Sequence, residues 1–304
     1  MGQKRQIQGS RFLITGASSG IGRALAERAA REGAKVMMAA RSIETLQQLA
    51  EQLRSEGADV AAVGADVTRE EDRQRMIRET LARFGGLDVL VNNAGVGSRG
   101  LFENSTPDVL RRIMEVNFFA LAETTRAALP ALAQGNRPMI VNISSVAGRR
   151  GIPIRAEYSA SKFAVSALSE VLRAELAMHG IDVLLVCPGF VATNFVENLV
   201  SDTTVRGQSG QRRSKGWEPP RAADAILRAI ARGKRELVFP AGIRILLWVN
   251  RLFPRVVDFG CAKMSTKNHA AESQLLKGSQ EMRSPEGLSA PHSASRSHQL
   301  SAKD

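Results

Sequence analysis

The chain has 304 residues, 43% of them apolar, and a net charge of +12. The length fits one α/β domain plus tails, and no internal repeat of solenoid period is present. The cysteines, Cys187 and Cys261, are too isolated for a disulfide framework or a metal motif and point to a reducing compartment.

Residues 1–10 are polar, carry no signal-peptide pattern and are expected to form an N-terminal extension. Arg11-Phe-Leu-Ile-Thr15 reads as a short apolar strand. Gly16-Ala17-Ser18-Ser19-Gly20-Ile21-Gly22 follows at once, and the alanine-rich run from Arg23 to Arg31 reads as a helix. A strand, a glycine-rich turn and a helix leave backbone N–H groups at a helix N-terminus for a pyrophosphate. Gly16 permits the tight turn. Gly20 and Gly22 remove side chains where phosphate and strand approach. Ser18, Ser19 and Ile21 complete this predicted cofactor turn.

The second strand runs from Lys35 to Arg41. An acidic residue near this strand end would hold a ribose 2′-hydroxyl, whereas an arginine accommodates a 2′-phosphate. Here Ala40 stands at the often acidic position, and Arg41-Ser42 follow. Arg41 can pair with the phosphate in a fork and Ser42 can add a hydroxyl, so NADP(H) is expected. Further along, Val60 to Ala65 reads as a strand ending in Asp66-Val67. Val89-Leu90-Val91 leads into Asn92-Asn93-Ala94-Gly95, and Asn117 falls inside a helical segment. Val183 to Cys187 reads as a strand before Pro188-Gly189. Alternating helices and strands from 11 to 240 predict a single α/β domain with a doubly wound, Rossmann-type parallel sheet in three layers.

Tyr158-Ser-Ala-Ser-Lys162 carries the chemistry, with Ser145 thirteen residues upstream. A tyrosine and a lysine at i and i+4 share a helix face. A nearby ammonium favours phenolate and makes the phenol a usable proton donor or acceptor near neutral pH. Tyr158 is also the only tyrosine in the chain. The pattern by itself also fits a packed tyrosine beside a snorkelling lysine.

Taken together, the glycine turn, Asp66-Val67, the Asn92–Gly95 run, Asn117, Ser145, the Tyr158–Lys162 pair and Pro188-Gly189 resemble the short-chain dehydrogenase/reductase family in its compact form, over about residues 8–240. The resemblance implies that Tyr158 is the catalytic acid/base. It implies that Lys162 lowers the Tyr158 pKa and holds the nicotinamide ribose, and that Ser145, rather than its neighbour Ser144, bonds the substrate oxygen. Asn117 would hold a water linking Lys162 to solvent. Asn93, Ala94, Gly95, Val116, Ile143, Pro188, Gly189, Val191 and Thr193 would line the cofactor, and Asp66 and Val67 would meet the adenine. The activity implied is interconversion of a small-molecule carbonyl and an alcohol, by a homodimer or homotetramer. Hydroxyls can stabilise charge on the reacting oxygen, so no metal is required. An epimerase or dehydratase is disfavoured by the turn spacing and the short chain after Tyr158. A non-enzymatic nucleotide sensor is disfavoured by the intact Ser145, Tyr158 and Lys162.

The segment from Phe190 to Glu218 is expected to enclose the substrate, with a mobile polar stretch at 206–216. Phe190, Phe195 and Leu199 would form an apolar wall for a lipophilic substrate such as a fatty-acyl, steroid or retinoid-like carbonyl. Between 205 and 256, twelve arginines and lysines face Glu218, Asp224 and Glu236 alone. Inside that stretch, 241–262 is amphipathic. It is too charged to span a bilayer. Ile245, Leu246, Trp248, Val249, Leu252 and Phe253 fit a membrane interface with arginines toward anionic headgroups. They fit equally well a helix packed on the core or on a second subunit. No nucleic-acid motif accompanies the charge. Residues 263–304 are polar and expected to be disordered. The expected location is cytoplasmic, with membrane association on the cytoplasmic face as one reading.

Overall fold

The computed structural model describes residues 4–193, 195, 199–200, 216–263 and 265–266. Strand β1 (Arg11–Thr15) is buried on both faces, as its continuous apolar run requires. Phe12 and Ile14 enter one core, and Leu13 enters the other. Helix α1 (Gly20–Arg31), β2 (Lys35–Ala40), α2 (Ile43–Ser55), β3 (Val60–Gly64), α3 (Glu70–Phe84) and β4 (Val89–Asn92) follow. After them come β5 (Gly97–Ser98), α4 (Pro107–Met114), α5 (Ala120–Leu132), β6 (Met139–Ile143), α6 (Ala156–Glu175) and β7 (Asp182–Pro188). The described chain closes with β8 (Leu199–Val200), α7 (Pro219–Ala231), β9 (Glu236–Phe239) and α8 (Ala241–Leu252), and residues 254–263 are again helical.

The main sheet has seven strands in the order β3-β2-β1-β4-β6-β7-β9. Every pairing in it is parallel. One face is covered by Leu25 and Ala29 of α1, Leu46 and Leu49 of α2, and Ile226 and Ile230 of α7. The other is covered by Met76 and Ile77 of α3 and by Ala128 and Leu132 of α5. The expected three-layer Rossmann-type fold is therefore present. The chain reverses its winding between β1 and β4, which opens a crevice at the carboxyl ends of those strands.

Residues before β1 are not merely a polar extension. Arg5 and Ile7 are buried. The Arg5 guanidinium donates to Arg137 O at 2.7 Å and Ile230 O at 3.1 Å, and pairs with Asp182 at 3.0 Å. This ties the N-terminal segment to β7 and α7.

Helices α7 and α8 differ in kind. Helix α7 buries Ile226, Leu227 and Ile230, at about 1.5–3 kcal/mol for each large side chain. Helix α8 buries no residue, and Ile245, Trp248 and Leu252 are 68%, 61% and 63% exposed. Helix α8 is thus only partly packed on its own chain: Ile243 and Leu246 line the central cavity, Leu247 and Val249 are half-buried, and an apolar face stays exposed. The polar stretch at 206–216 lies outside the described residues except for Gly216, and so does the tail except for residues 263, 265 and 266. No described helix is long and apolar enough to cross a membrane.

Candidate active site

A cavity of about 780 Å³ opens at the crevice above β1 and β4. Its floor is the glycine turn. Gly16 and Gly20 have φ of +66° and +57°, which glycine adopts freely. A Cβ on Gly16 would come within 2.8 Å of the Ala94 Cα, so the turn can only close on β4 with glycine there. Gly22 makes room for protein rather than ligand: a Cβ there would strike the Asn93 side chain and the Gly16 carbonyl. Asn93 Nδ2 donates to Thr15 O at 2.9 Å and Gly16 O at 3.1 Å. Thr15 Oγ1 accepts from the Asn93 and Ala94 amides. Asn93 and Thr15 thus pin the turn to the end of β4. The first turn of α1 has no acidic residue and its N-cap Ser19 makes no side-chain cap, which leaves the positive helix end open to an anion.

At one end of the cavity stand Arg41, Ser42, Asp66, Val67 and Arg112. Burial pushes the Asp66 carboxyl up. The Thr68 amide and hydroxyl and the charges of Arg41 and Arg112 outweigh it, so Asp66 is held below its usual range. Neither Arg41 nor Arg112 is ion-paired among the described residues, and Ser42 makes no side-chain cap on α2. The set suits a phosphate-bearing ribose.

At the other end stand Ser145, Tyr158 and Lys162. Both candidate side chains of α6 are buried, Tyr158 at 9% and Lys162 at 4% exposed. Burial raises the Tyr158 phenol, and a hydrogen bond from Ser145 and the Arg155 charge oppose the rise. Burial lowers the Lys162 ammonium to about 8. Lys162 Nζ donates to Ile143 O at 2.9 Å and lies 5.8 Å from the centroid of the Tyr158 ring. Ser145 and Arg155 draw the phenol down against its burial, while the ammonium is hydrogen-bonded to the Ile143 carbonyl. Phe195 packs edge-on against Tyr158 at 5.7 Å.

The neighbouring serines separate cleanly. Ser144 Oγ is engaged with Lys162 O at 2.9 Å and Ser166 Oγ at 3.1 Å, tying β6 to α6. Ser145 Oγ accepts from Ala147 N at 3.1 Å, lines the cavity beside Tyr158 and draws its phenol down. Asn117 sits in a π-helical turn (Glu115–Phe119) between α4 and α5, not in a regular helix. Its Oδ1 accepts from Val96 N at 2.8 Å, and its Nδ2 donates to Val96 O and Ser161 Oγ. The side chain is committed to those contacts, so a water held at this position would meet the main chain. Such turns recur at functional sites because they break the regular ladder.

All the predicted cofactor and catalytic residues line this one cavity except Gly22 and Asn117, which support it from behind. Phe190 and Phe195 line it, whereas Leu199 pairs with Gly97 across β5 and β8 and does not. The family model described as short chain dehydrogenase matches residues 11–204. The chain belongs to the short-chain dehydrogenase/reductase family.

Among similar proteins is dehydrogenase/reductase SDR family member 7B of Bos taurus, 34% identical over 76% of this chain and 74% of its own. The 11-beta-hydroxysteroid dehydrogenase A of Sesamum indicum is 36% identical over 83% of this chain and 74% of its own. A Burkholderia phymatum short-chain dehydrogenase/reductase in complex with NAD superposes with a TM-score of 0.75 at 28% identity, covering 83% of this chain and 96% of that one. The alcohol dehydrogenase of Thermococcus sibiricus complexed with 5-hydroxy-NADP gives 0.67 at 29%, covering 76% and 95%. This short-chain dehydrogenase/reductase also lines its cavity with Arg112, Ile152, Arg155 and Ile243, which the sequence did not single out, and with Leu246, which was expected on the apolar face of the C-terminal segment. Of the first four, only Arg155 carried a local signal, three residues before Tyr158 on one helix face.

Proposed function

We propose that this oxidoreductase uses NADP(H) to interconvert a carbonyl and a secondary alcohol on a lipophilic small molecule. The observation that carries the reading is that Ser145, Tyr158 and Lys162 line the same cavity as the open N-terminus of α1. The glycine cradle and the helix end fit a dinucleotide pyrophosphate. Arg41, Ser42 and Arg112 fit a 2′-phosphate, and no carboxylate at Ala40 would repel it. Similar solved structures carry NAD in one case and an NADP derivative in another, so the preference rests on these side chains.

When bound, the nicotinamide supplies or accepts the hydride. In the reducing direction Tyr158 Oη gives its proton to the carbonyl oxygen as that oxygen gains charge. Ser145 Oγ donates a hydrogen bond to the same oxygen. Lys162 holds the ribose hydroxyls and stabilises the phenolate left on Tyr158. Asn117 fixes the Val96 loop against α6, and its main chain supports a water path that returns the proton. Phe190, Phe195, Ile152, Ile243 and Leu246 give the cavity an apolar wall for the substrate. The relative named as a steroid dehydrogenase supports a lipophilic substrate. NADPH oxidation in single turnover against a panel of lipophilic ketones tests the reading, and no oxidation with any of them refutes it.

A second proposal concerns surface. Ile245, Trp248, Leu252, Phe253, Val256 and Phe259 are exposed alongside Arg244, Arg251 and Arg255. The carboxylate near them, Asp258, is already paired with Arg150. A two-fold contact between copies would bring these arginines together, whereas an anionic bilayer neutralises them and buries the apolar groups. This face therefore rests on membrane. The homo-oligomer instead uses Leu110, Phe119, Phe163 and Val171, exposed on α4 to α6. Light scattering of the purified protein checks the oligomer.

A further inference from the structure

Arg155 stands out among the partly or fully buried arginines of the described residues. Arg5, Arg11, Arg73, Arg75, Arg149 and Arg150 are each paired with a carboxylate. Arg173 is held by the carbonyls of Val183 and Arg235. The Arg155 side chain has neither kind of partner among the described residues, although it is half-buried. A half-buried guanidinium with no protein acceptor keeps its donors for solvent or a ligand, and a fold that pairs its other part-buried arginines has left this one open.

Its position says what it faces. Arg155 is the N-cap residue of α6, one turn before Tyr158, and lines the catalytic cavity with it. The preceding residue, Ile154, is held at φ +61°, a conformation that a β-branched side chain rarely takes. Strain of this kind persists where the surroundings fix it, and here it sets the direction in which α6 begins. The charges divide between the two ends of the cavity. Arg41 and Arg112 act on Asp66. Arg155 acts on Tyr158, and exposed Arg99 acts on Arg155. Ile152, Phe190 and Phe195 supply apolar lining to the same cavity.

Building on the dehydrogenase reading, we infer that the substrate is an amphipathic anion whose carboxylate or phosphate ester pairs with Arg155 while its carbonyl meets Ser145 and Tyr158. The guanidinium fork suits either group, and the apolar wall takes the chain between anion and carbonyl. Arg155 then acts as a specificity determinant. It fixes the carbonyl along the cavity by holding the charged end.

Calorimetry on the NADPH-loaded enzyme tests this without requiring turnover. The probes are medium-chain oxo-compounds ending in a carboxylate, a phosphate monoester or a primary amide. One or both anions should bind about 10- to 100-fold tighter than the amide, the range a hydrogen bond to a charged group carries. Which anion binds tighter identifies the source. Arg155→Ala should collapse that ratio, and Arg155→Lys should restore part of it. Equal binding of anions and amide by wild type overturns the inference. So does an Arg155→Ala ratio equal to that of wild type. A loss of NADPH affinity in Arg155→Ala with the ratio intact would mean that Arg155 serves the cofactor instead. Any of these results leaves the dehydrogenase reading standing, since that depends on turnover of neutral ketones and its loss in Tyr158→Phe.

Discussion

The Lys162 ammonium lies 5.8 Å from the centroid of the Tyr158 ring, and burial moves the two groups in opposite directions. It raises the phenol and lowers the ammonium to about 8. The phenol is thereby protonated and the lysine still largely charged near neutral pH, the state needed to give up a proton to a substrate oxygen.

Tyr158→Phe should retain NADPH binding and lose nearly all turnover, because only the transferable proton is removed. Lys162→Ala should weaken NADPH and slow the reaction together. Fluorescence titration and steady-state rates check both, and a Tyr158→Phe enzyme with rates comparable to wild type would refute the mechanism.

Arg41→Asp should weaken NADPH much more than NADH, and Arg112→Ala should do so to a smaller degree. Each removes a cation from the Asp66 end of the cavity, and the aspartate adds repulsion. The Arg41 effect should shrink in high salt, since Arg41 is exposed. Equal losses for both dinucleotides would assign the phosphate elsewhere.

Stability should carry the signature of Lys162. The folded lysine releases its proton near 8, against 10.5 for the ordinary group. Below 8 both states are protonated and the burial penalty is fully present. Between 8 and 10.5 the unfolded chain binds more protons, so stability rises with pH, by up to about 1.4 kcal/mol per unit. Lys162→Met removes this rise. Urea denaturation of both proteins from about neutral pH to about pH 10 should show wild type gaining on the variant only above 8.

Arg5→Ala should destabilise the domain by about 1–3 kcal/mol, because Ile230 O and Arg137 O lose a charged donor. Asp182 is 58% exposed and suffers little. A thermal melt unchanged from wild type would show that the N-terminal segment is not anchored there.

Wild type should float with anionic vesicles at low salt and less with neutral ones. Replacing Arg244, Arg251 and Arg255 by glutamine should weaken anionic binding, at roughly 1 kcal/mol per charge. Trp248→Ser should weaken both, since its contribution is burial of apolar area. Failure of wild type to float at low salt would remove the membrane reading and leave α8 for a second subunit.

Much of this protein is legible in the chain because it is written in local patterns. A strand–glycine turn–helix fixes the cradle, and its φ values of +66° at Gly16 and +57° at Gly20 are ones that glycine adopts freely. Tyr158 and Lys162 share a face through helix geometry alone, and the apolar runs forecast strands buried on both sides. What the pattern cannot contain is which groups meet across the sheet. Ser144 and Ser145 look alike in sequence, and only the packing of β6 on α6 turns one into a tie and the other toward Tyr158. Asn117 reads as a residue of a regular helix, and only the π turn and the Val96 contacts engage its side chain. Arg112 and Arg155 become site residues, and α8 stays unburied, through contacts between segments far apart in the chain. Local spacing sets secondary structure and the chemistry it carries. Long-range packing sets which polar groups are used up internally and which are left facing the cavity.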